Sequence, residues 1–380
     1  MTDKNKIMIL CKVVDNYGDI GVVYRLARAI SDLRPNIELT LVVSNLESFH
    51  KLASQIDPTK QFQDFHYKDS VWKILDWNLE ISDGNSSFLT PVILECFQCG
   101  RPEWLEKILF DESFTQIVQI IQIDYLTAED YADEFHLLKS GTRKSNIKKI
   151  FFMPGFTEKT GGLIINSGLA GLPCPLEGQS DEKSQFLIFF FAYEDDCSAV
   201  VRAISDFERE MQKSEREFSV CVYLAEGKSS LPFEKAFKNQ NATFKLQKIP
   251  FLQQEEFDCF LTTMDFLFVR GEDSLSRAAL SSLPFVWQAY KQDENYQLVK
   301  VNALLERMKP FFCDEFEPIQ KFWQNYNDYE NPTKSESLTK MLLDSAKQKN
   351  TSGFKNFSRS LIKNGNLAEN LLKFIDGLKL

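Results

Sequence analysis

Two short strings hold residue types that do chemistry. The first, Val14-Asp15-Asn16-Tyr17-Gly18-Asp19-Ile20-Gly21, sets two carboxylates and two glycines where an apolar run gives way to a helical pattern. Glycine lets the backbone approach a ligand closely, and a helix N-terminus presents unpaired N–H groups that attract anions. Two acids beside an anion would repel it, so their chemical task is to meet a cation or to take a proton. The alternative is purely conformational, with Asp19 as a helix cap and Asp15 as a turn former. The second string, Phe266-Leu267-Phe268-Val269-Arg270-Gly271-Glu272-Asp273-Ser274, again leads through glycine into a helix start. Arg270 offers a forked pair of donors to a phosphate, and Ser274 with the first helical N–H groups adds neutral donors. Glu272 and Asp273 equally suit the first turn of an ordinary capped helix.

Aromatic residues close two further runs. Phe251 and Gln254 follow Ile249-Pro250 and suit stacking on a base and reading its edge, and Phe191 with Tyr193 ends the run from Phe186. Taken singly, each such ring is more often core than ligand contact. Neither Gly-x-Gly-x-x-Gly nor Gly-x-x-x-x-Gly-Lys occurs, and no Asp-x-Asp pair is present to hold a metal on a nucleotide diphosphate. Diphosphate charge would then fall to Arg270, Tyr193, Ser274 and helix N-termini. His50, His66 and His136 lie away from these strings, which favours a carboxylate as base.

An alternation of apolar runs and amphipathic helical segments must position the strings. The runs are Ile7–Val14, Leu39–Val43, Pro91–Phe97, Ile117–Ile123 and Lys148–Met153, with a helix over Val22–Asp32. This pattern predicts a parallel sheet covered by helices on both faces. A polar interval from Glu177 to Gln185 reads as a linker, after which the alternation restarts at Phe186–Phe191, Phe218–Leu224, Phe244–Lys248, Asp265–Val269 and Pro284–Trp287. The pattern makes two α/β units in tandem, with ligands expected beyond the carboxyl ends of the strands and an interdomain cleft as the site. Leu367, Leu371, Leu372, Ile375 and Leu378 share one face of a C-terminal helix that must dock its stripe. The interval 333–358 is read either as a mobile stretch or as a crossing helix.

Length and composition agree. At about 150 residues per domain, 380 residues make two domains, or three at most. With 44 Lys plus Arg against 54 Asp plus Glu the net charge is −10, which excludes nucleic acid as the main partner. Eight cysteines sit mostly in apolar runs and read as reduced thiols, and the pair Cys96 and Cys99 lacks the further ligands zinc requires. No run reaches the roughly 20 apolar residues of a membrane span, and the N-terminus lacks a signal-peptide core, so a soluble cytoplasmic protein is expected. Most of the 33 Phe should be core, leaving Phe251 and Phe191 a claim on a ligand.

Four strings together resemble one family. They are Val13 to Val22 with Arg25-Leu26-Ala27-Arg28, Pro154-Gly155-Phe156-Thr157 with Thr160-Gly161-Gly162, Phe268 to Ser274, and Pro284-Phe285-Val286-Trp287. They are similar to the protein-arginine rhamnosyltransferases of bacterial elongation factor P, the EarP family. The resemblance implies an inverting glycosyltransferase of GT-B architecture, two facing Rossmann-like domains that move L-rhamnose from dTDP-β-L-rhamnose to an arginine of elongation factor P, without a metal or other cofactor. It implies an acceptor-side domain over 1–175, completed by a C-terminal helix at 359–380, a linker at 176–185, and a donor-side domain over 186–358. Asp19 would be the general base or the carboxylate that orients the guanidinium, with Asp15 as its partner and Glu272 assisting. Asn16, Tyr17, Gly18, Asp273, Arg270, Ser274, Tyr193, Phe191, Phe251 and Gln254 would hold the donor, the last two at the thymine. The family's Pro-Gln-Glu and following His are replaced by Lys291-Gln292-Asp293 and Gln297. Carboxylates suit the reaction, because a guanidinium with pKa above about 12 stays cationic and must be bound, oriented and deprotonated as its nitrogen attacks. Two other readings are a GT-B enzyme acting on a small-molecule or lipid acceptor, for which the sequence offers no basic amphipathic run, and a non-catalytic nucleotide-sugar-binding partner of the translation apparatus.

Overall fold

Near-continuous apolar runs make parallel strands when helices cover both faces of the sheet, and this chain builds two such sheets. In the computed structural model, residues 4–14, 17–80, 88–166, 185–314, 316–331 and 334–379 are described. The chain divides into one unit of Met1–Asn166 with Asn364–Leu380 and a second of Ser167–Lys363. Except for Gln185, the expected linker lies outside the described residues.

The first unit runs β1 (Lys6–Cys11), α1 (Gly18–Leu33), β2 (Glu38–Val43), α2 (Leu46–Leu52), β3 (Phe62–Tyr67), β4 (Ser70–Asp76), β5 (Val92–Cys96), α3 (Glu103–Phe110), β6 (Val118–Ile123), α4 (Tyr131–Phe135), β7 (Lys139–Ser140) and β8 (Ile147–Phe152). The sheet order is β3-β4-β2-β1-β5-β6-β8-β7, with only the edge strands β3 and β7 antiparallel. Its six parallel strands therefore take the doubly wound order 3-2-1-4-5-6, which reverses between β1 and β5. Side chains alternate across β1: Ile7, Ile9 and Cys11 enter one core cluster, while Met8 and Leu10 enter the other with Leu105 and Leu109 of α3. The hairpin of β3 and β4 was not anticipated. Its strands mix polar and apolar residues, a weaker signal than a continuous run, yet Trp72 is fully buried and donates to Ser31 at 2.9 Å.

The second unit runs β9 (Gln185–Phe190), α5 (Ser198–Gln212), β10 (Ser219–Ala225), α6 (Ser230–Asn239), β11 (Lys245–Ile249), α7 (Gln254–Thr262), β12 (Phe266–Arg270), α8 (Glu272–Leu280), β13 (Phe285–Gln288) and four helices, α9 (Gln297–Met308), α10 (Phe316–Asn327), α11 (Ser335–Ala346) and α12 (Thr351–Lys363). The sheet β11-β10-β9-β12-β13 is wholly parallel, the order 3-2-1-4-5, reversing between β9 and β12. Phenylalanines fill this core, with Phe190 packed 4.7 Å from Phe233 and 5.1 Å from Phe268. Within the interval 333–358, α11 begins at Ser335, a turn spans 347–350, and α12 carries on past residue 358. Ser358 donates to Leu280 O at 2.9 Å, so residues 359–363 belong with the second unit and not with the C-terminal helix.

The chain then returns to the first unit as α13 (Leu367–Gly377), whose Leu367, Leu371, Leu372 and Ile375 join the cluster under α1. Gly161 and Gly162, part of one resemblance string, permit this return. A Cβ at Gly161 would lie 2.5 Å from Phe152 and 2.7 Å from Leu367, and Gly162 has φ +82 with its Cβ position 2.4 Å from Gly365 O. No described helix is long and apolar enough to cross a membrane.

Candidate active site

Ligands of doubly wound sheets bind beyond the carboxyl ends of the strands, where the strand order reverses. In the first unit that point lies between β1 and β5, and the acidic string leaves β1 there. Asp15 and Asn16 lie outside the described residues. Tyr17, which precedes α1, makes no side-chain cap and is 45% exposed, and Gly18 is exposed as well. Asp19 is 4% exposed and does not cap the helix. Its Oδ2 accepts the Val14 N–H at 2.8 Å from the loop upstream, and its Oδ1 accepts the Tyr125 hydroxyl at 3.2 Å. The carboxylate is thus held at both oxygens.

Tyr125 comes from the end of β6 and stacks on Phe97 from the end of β5, with centroids 4.6 Å apart and planes 20° from parallel. Phe97 and Gln98 are both left-handed, at φ +57 and +53. Such a conformation costs a non-glycine residue about 1–3 kcal/mol and persists only where neighbours enforce it. Here Phe97 N–H donates to Ile123 O at 2.7 Å and Gln98 Nε2 donates to Asp124 Oδ2 at 2.9 Å. The other oxygen of Asp124 accepts the Tyr125 N–H at 2.8 Å, so one carboxylate ties the two strand ends together. None of Phe97, Gln98, Asp124 and Tyr125 was expected as a site residue, because none lies in a glycine-bearing string that opens a helix. Their sequence signal is position alone: each sits at the last residue of an apolar run or one or two residues past it. Beneath them Cys11 and Cys96 are buried, and burial first, then nearby acids and thiols, pushes both far above the ordinary thiol range. Burial likewise lifts Cys99 to about 12, so none of the three is poised as a nucleophile.

In the second unit the reversal lies between β9 and β12, and the strings singled out in the sequence leave those two strands. The Arg270 guanidinium sits 4.5 Å from the Phe191 ring centre and 4.6 Å from that of Tyr193. Two π-faces attract a guanidinium, which is planar and stacks on aromatic rings. Gly271 has φ +66 and ψ −172, a region essentially reserved for glycine, and its carbonyl accepts Trp287 Nε1–H at 3.0 Å. Tyr193 is anchored through its N–H to Gln288 Oε1 at 2.6 Å, and its ring meets Tyr290 edge-on at 5.3 Å. Glu272 and Asp273 open α8, half-buried. Ser274 is buried and its hydroxyl donates to Arg270 O, closing the turn that carries the arginine. Phe251 is 55% exposed beyond β11, and Gln254 is buried at the start of α7, behind a capping box made by Gln253 and Glu256. Gln297, where the family pattern has His, is fully buried: its Oε1 accepts the Gln292 N–H at 3.1 Å and its Nε2 donates to Asn327 O at 3.0 Å.

Two Rossmann-like units in tandem, with a fixed carboxylate at the switch point of one and a cradled arginine at that of the other, define a glycosyltransferase of the GT-B class. Known structures agree on the fold. The spinosyn rhamnosyltransferase SpnG complexed with thymidine diphosphate matches 98% of this chain and 100% of its own at a TM-score of 0.52 and 9% identity. A structure described as the basis for EarP-mediated arginine glycosylation of translation elongation factor EF-P matches 98% and 99% at 0.54 and 20% identity. The sequence is 30% identical over 351 residues to the protein-arginine rhamnosyltransferase of Shewanella oneidensis, covering 84% of each chain. It is 28% identical over 334 residues to that of Pseudomonas putida, covering 84% of this chain and 86% of the relative. The profile of the Elongation-Factor P (EF-P) rhamnosyltransferase family EarP matches residues 7–376, and the chain belongs to that family of enzymes.

Proposed function

We propose that this enzyme transfers L-rhamnose from dTDP-β-L-rhamnose to an arginine side chain of elongation factor P in the cytoplasm, with inversion and without a metal. The observation that carries the reading is the Asp19 carboxylate, buried, held at both oxygens and placed at the switch point of the first unit. A guanidinium is cationic and a poor nucleophile. Asp19, with Asp15 beside it in sequence, binds it, orients one nitrogen and accepts a proton as the C–N bond forms. The bond from the anomeric carbon to the diphosphate oxygen breaks, and the electron pair leaves with the diphosphate. Attack from the face away from the leaving group turns β into α. Correct orientation of the two reactants alone is worth about 7 kcal/mol or more in well-aligned cases.

Arg270, over the Phe191 and Tyr193 rings, meets the diphosphate charge with the N–H groups at the start of α8, and Glu272 assists the reaction from the same turn. Gly18, Tyr17 and Asn16 supply backbone and side-chain contacts to the donor, and Asp273 and Ser274 shape the donor turn. Phe251 and Gln254 take the thymine. They come after β11, two strands from β9, and two inter-strand spacings of about 4.8 Å leave room for a ribose between base and diphosphate. Intact-mass measurement of elongation factor P incubated with the enzyme and dTDP-rhamnose tests the reading. A gain of one deoxyhexose, undiminished by a chelator, is expected; an unmodified acceptor refutes it, and a small molecule or lipid labelled in its place moves the enzyme to another acceptor class.

A further inference from the structure

The partner that fixes the Oδ1 oxygen of Asp19 lies in neither chemical string of the sequence. Tyr125 is delivered from the end of β6, 106 residues further along the chain, and its hydroxyl reaches Asp19 at 3.2 Å. Its ring lies on Phe97, and the loop bearing Phe97 adopts two consecutive left-handed residues to put the ring there. Asp124 then locks both loops, accepting from Gln98 on one side and from the Tyr125 N–H on the other. Strained backbone, an aromatic stack and a bridging carboxylate converge on one tyrosine that is still 37% exposed. A core residue would have no use for that exposure, and a surface tyrosine would not need so much support.

We infer that Tyr125 is a positioning residue for the transfer and that its ring, backed by Phe97, is the wall of the acceptor guanidinium subsite. The hydroxyl holds Asp19 so that the carboxylate meets the guanidinium in one orientation. The ring supplies a flat π-surface, on which a planar guanidinium stacks more readily than an ammonium does. This inference rests on the reading of Asp19 as the base. The two roles separate by substitution, because Tyr125→Phe removes only the hydroxyl and Tyr125→Leu removes the flat ring while keeping apolar volume.

Steady-state kinetics with elongation factor P as acceptor, beside calorimetric titration of dTDP, provide the test. Tyr125→Phe should lower kcat about 10- to 100-fold, the cost of a catalytic group loosened by about 1 Å, with the KM for the acceptor and the affinity for dTDP unchanged. Tyr125→Leu should add a rise of about 10-fold in the acceptor KM, between what an exposed and a desolvated cation–π contact is worth. Tyr125→Phe with kcat within twofold of wild type overturns the positioning role, and Tyr125→Leu with an unchanged acceptor KM overturns the wall. Two controls separate these failures from failure of the underlying reading. If wild type adds no rhamnose, or if Asp19→Asn turns over normally, the reading of the site falls and the inference falls with it. If both controls behave as expected, a normal Tyr125→Phe sinks the inference alone.

Discussion

The two units share the doubly wound strand order and place their chemistry at the same topological point, yet they immobilise charges of opposite sign by different means. In the first, the anion Asp19 is fixed by hydrogen-bond donors, a backbone N–H and a phenol. In the second, the cation Arg270 lies over two aromatic faces. A carboxylate needs directional partners to select one rotamer, whereas a guanidinium is planar and can be sandwiched. The fold therefore decides where a group is held, and the side chains around it decide which charge the position tolerates.

The largest test of this contrast removes the anion. Asp19→Asn should cut turnover by about 10²- to 10⁴-fold, the usual worth of a general base, while calorimetry shows dTDP affinity near wild type. A matching loss of dTDP affinity would mean that the two sites are not divided between acceptor and donor. Next, Arg270→Ala should weaken dTDP binding about 10- to 100-fold, since a hydrogen bond to a charged group is worth about 1.5–3 kcal/mol. Arg270→Lys should not restore it, because an ammonium cannot fill the space between two rings. Unchanged affinity in either variant would remove Arg270 from the diphosphate.

A smaller effect concerns backbone. Gly271→Ala forces a side chain onto φ +66 and ψ −172 and should destabilise the second unit by about 1–3 kcal/mol in chemical denaturation, with dTDP weakening as the Arg270 turn shifts. The smallest effect is a divergence with pH. Burial lowers the His136 pKa from 6.5 to about 4. The unfolded chain therefore takes up that proton first, and the first unit loses stability as pH falls from about 6.5 towards 4. In the second unit, burial raises the pKa of Asp265, whose carboxylate accepts the Leu187 N–H, and of Glu208, which accepts the Val220 N–H. Their contribution is full at low pH and is lost as pH rises through the folded values, so the second unit moves the other way. Hydrogen exchange, corrected for its intrinsic pH dependence, should show the first unit opening relative to the second on acidification. The gap should shrink in His136→Gln; a pH-independent difference would contradict the assignment.

Much of this arrangement was legible in the sequence. Strands buried on both faces announce themselves as apolar runs, so β1, β2, β5, β6, β9, β10, β12 and β13 were found within a few residues, and β8 and β11, whose lysines are exposed or half-buried, were found beside them. The hairpin β3–β4 was not, since half of its residues face water. Arg270, Tyr193 and Phe191 were named from loops that close strands, but their mutual stacking could not be, because they lie 77 to 79 residues apart in the chain. The C-terminal helix was expected to dock on the first unit; where the chain leaves the second unit depended on the packing of α12 on α8, a contact with no local signature.

By itself the sequence determined the strand–helix alternation, the two units and the family, since periodicity and contiguous strings are properties of neighbouring residues. Tertiary structure decided what surrounds Asp19. Its backbone partner lies five residues upstream, but the tyrosine that orients it comes from β6, and the aromatic floor beneath that tyrosine from β5. Those residues meet because parallel strands end on one edge of the sheet, so groups far apart along the chain become neighbours only when the strand order is set.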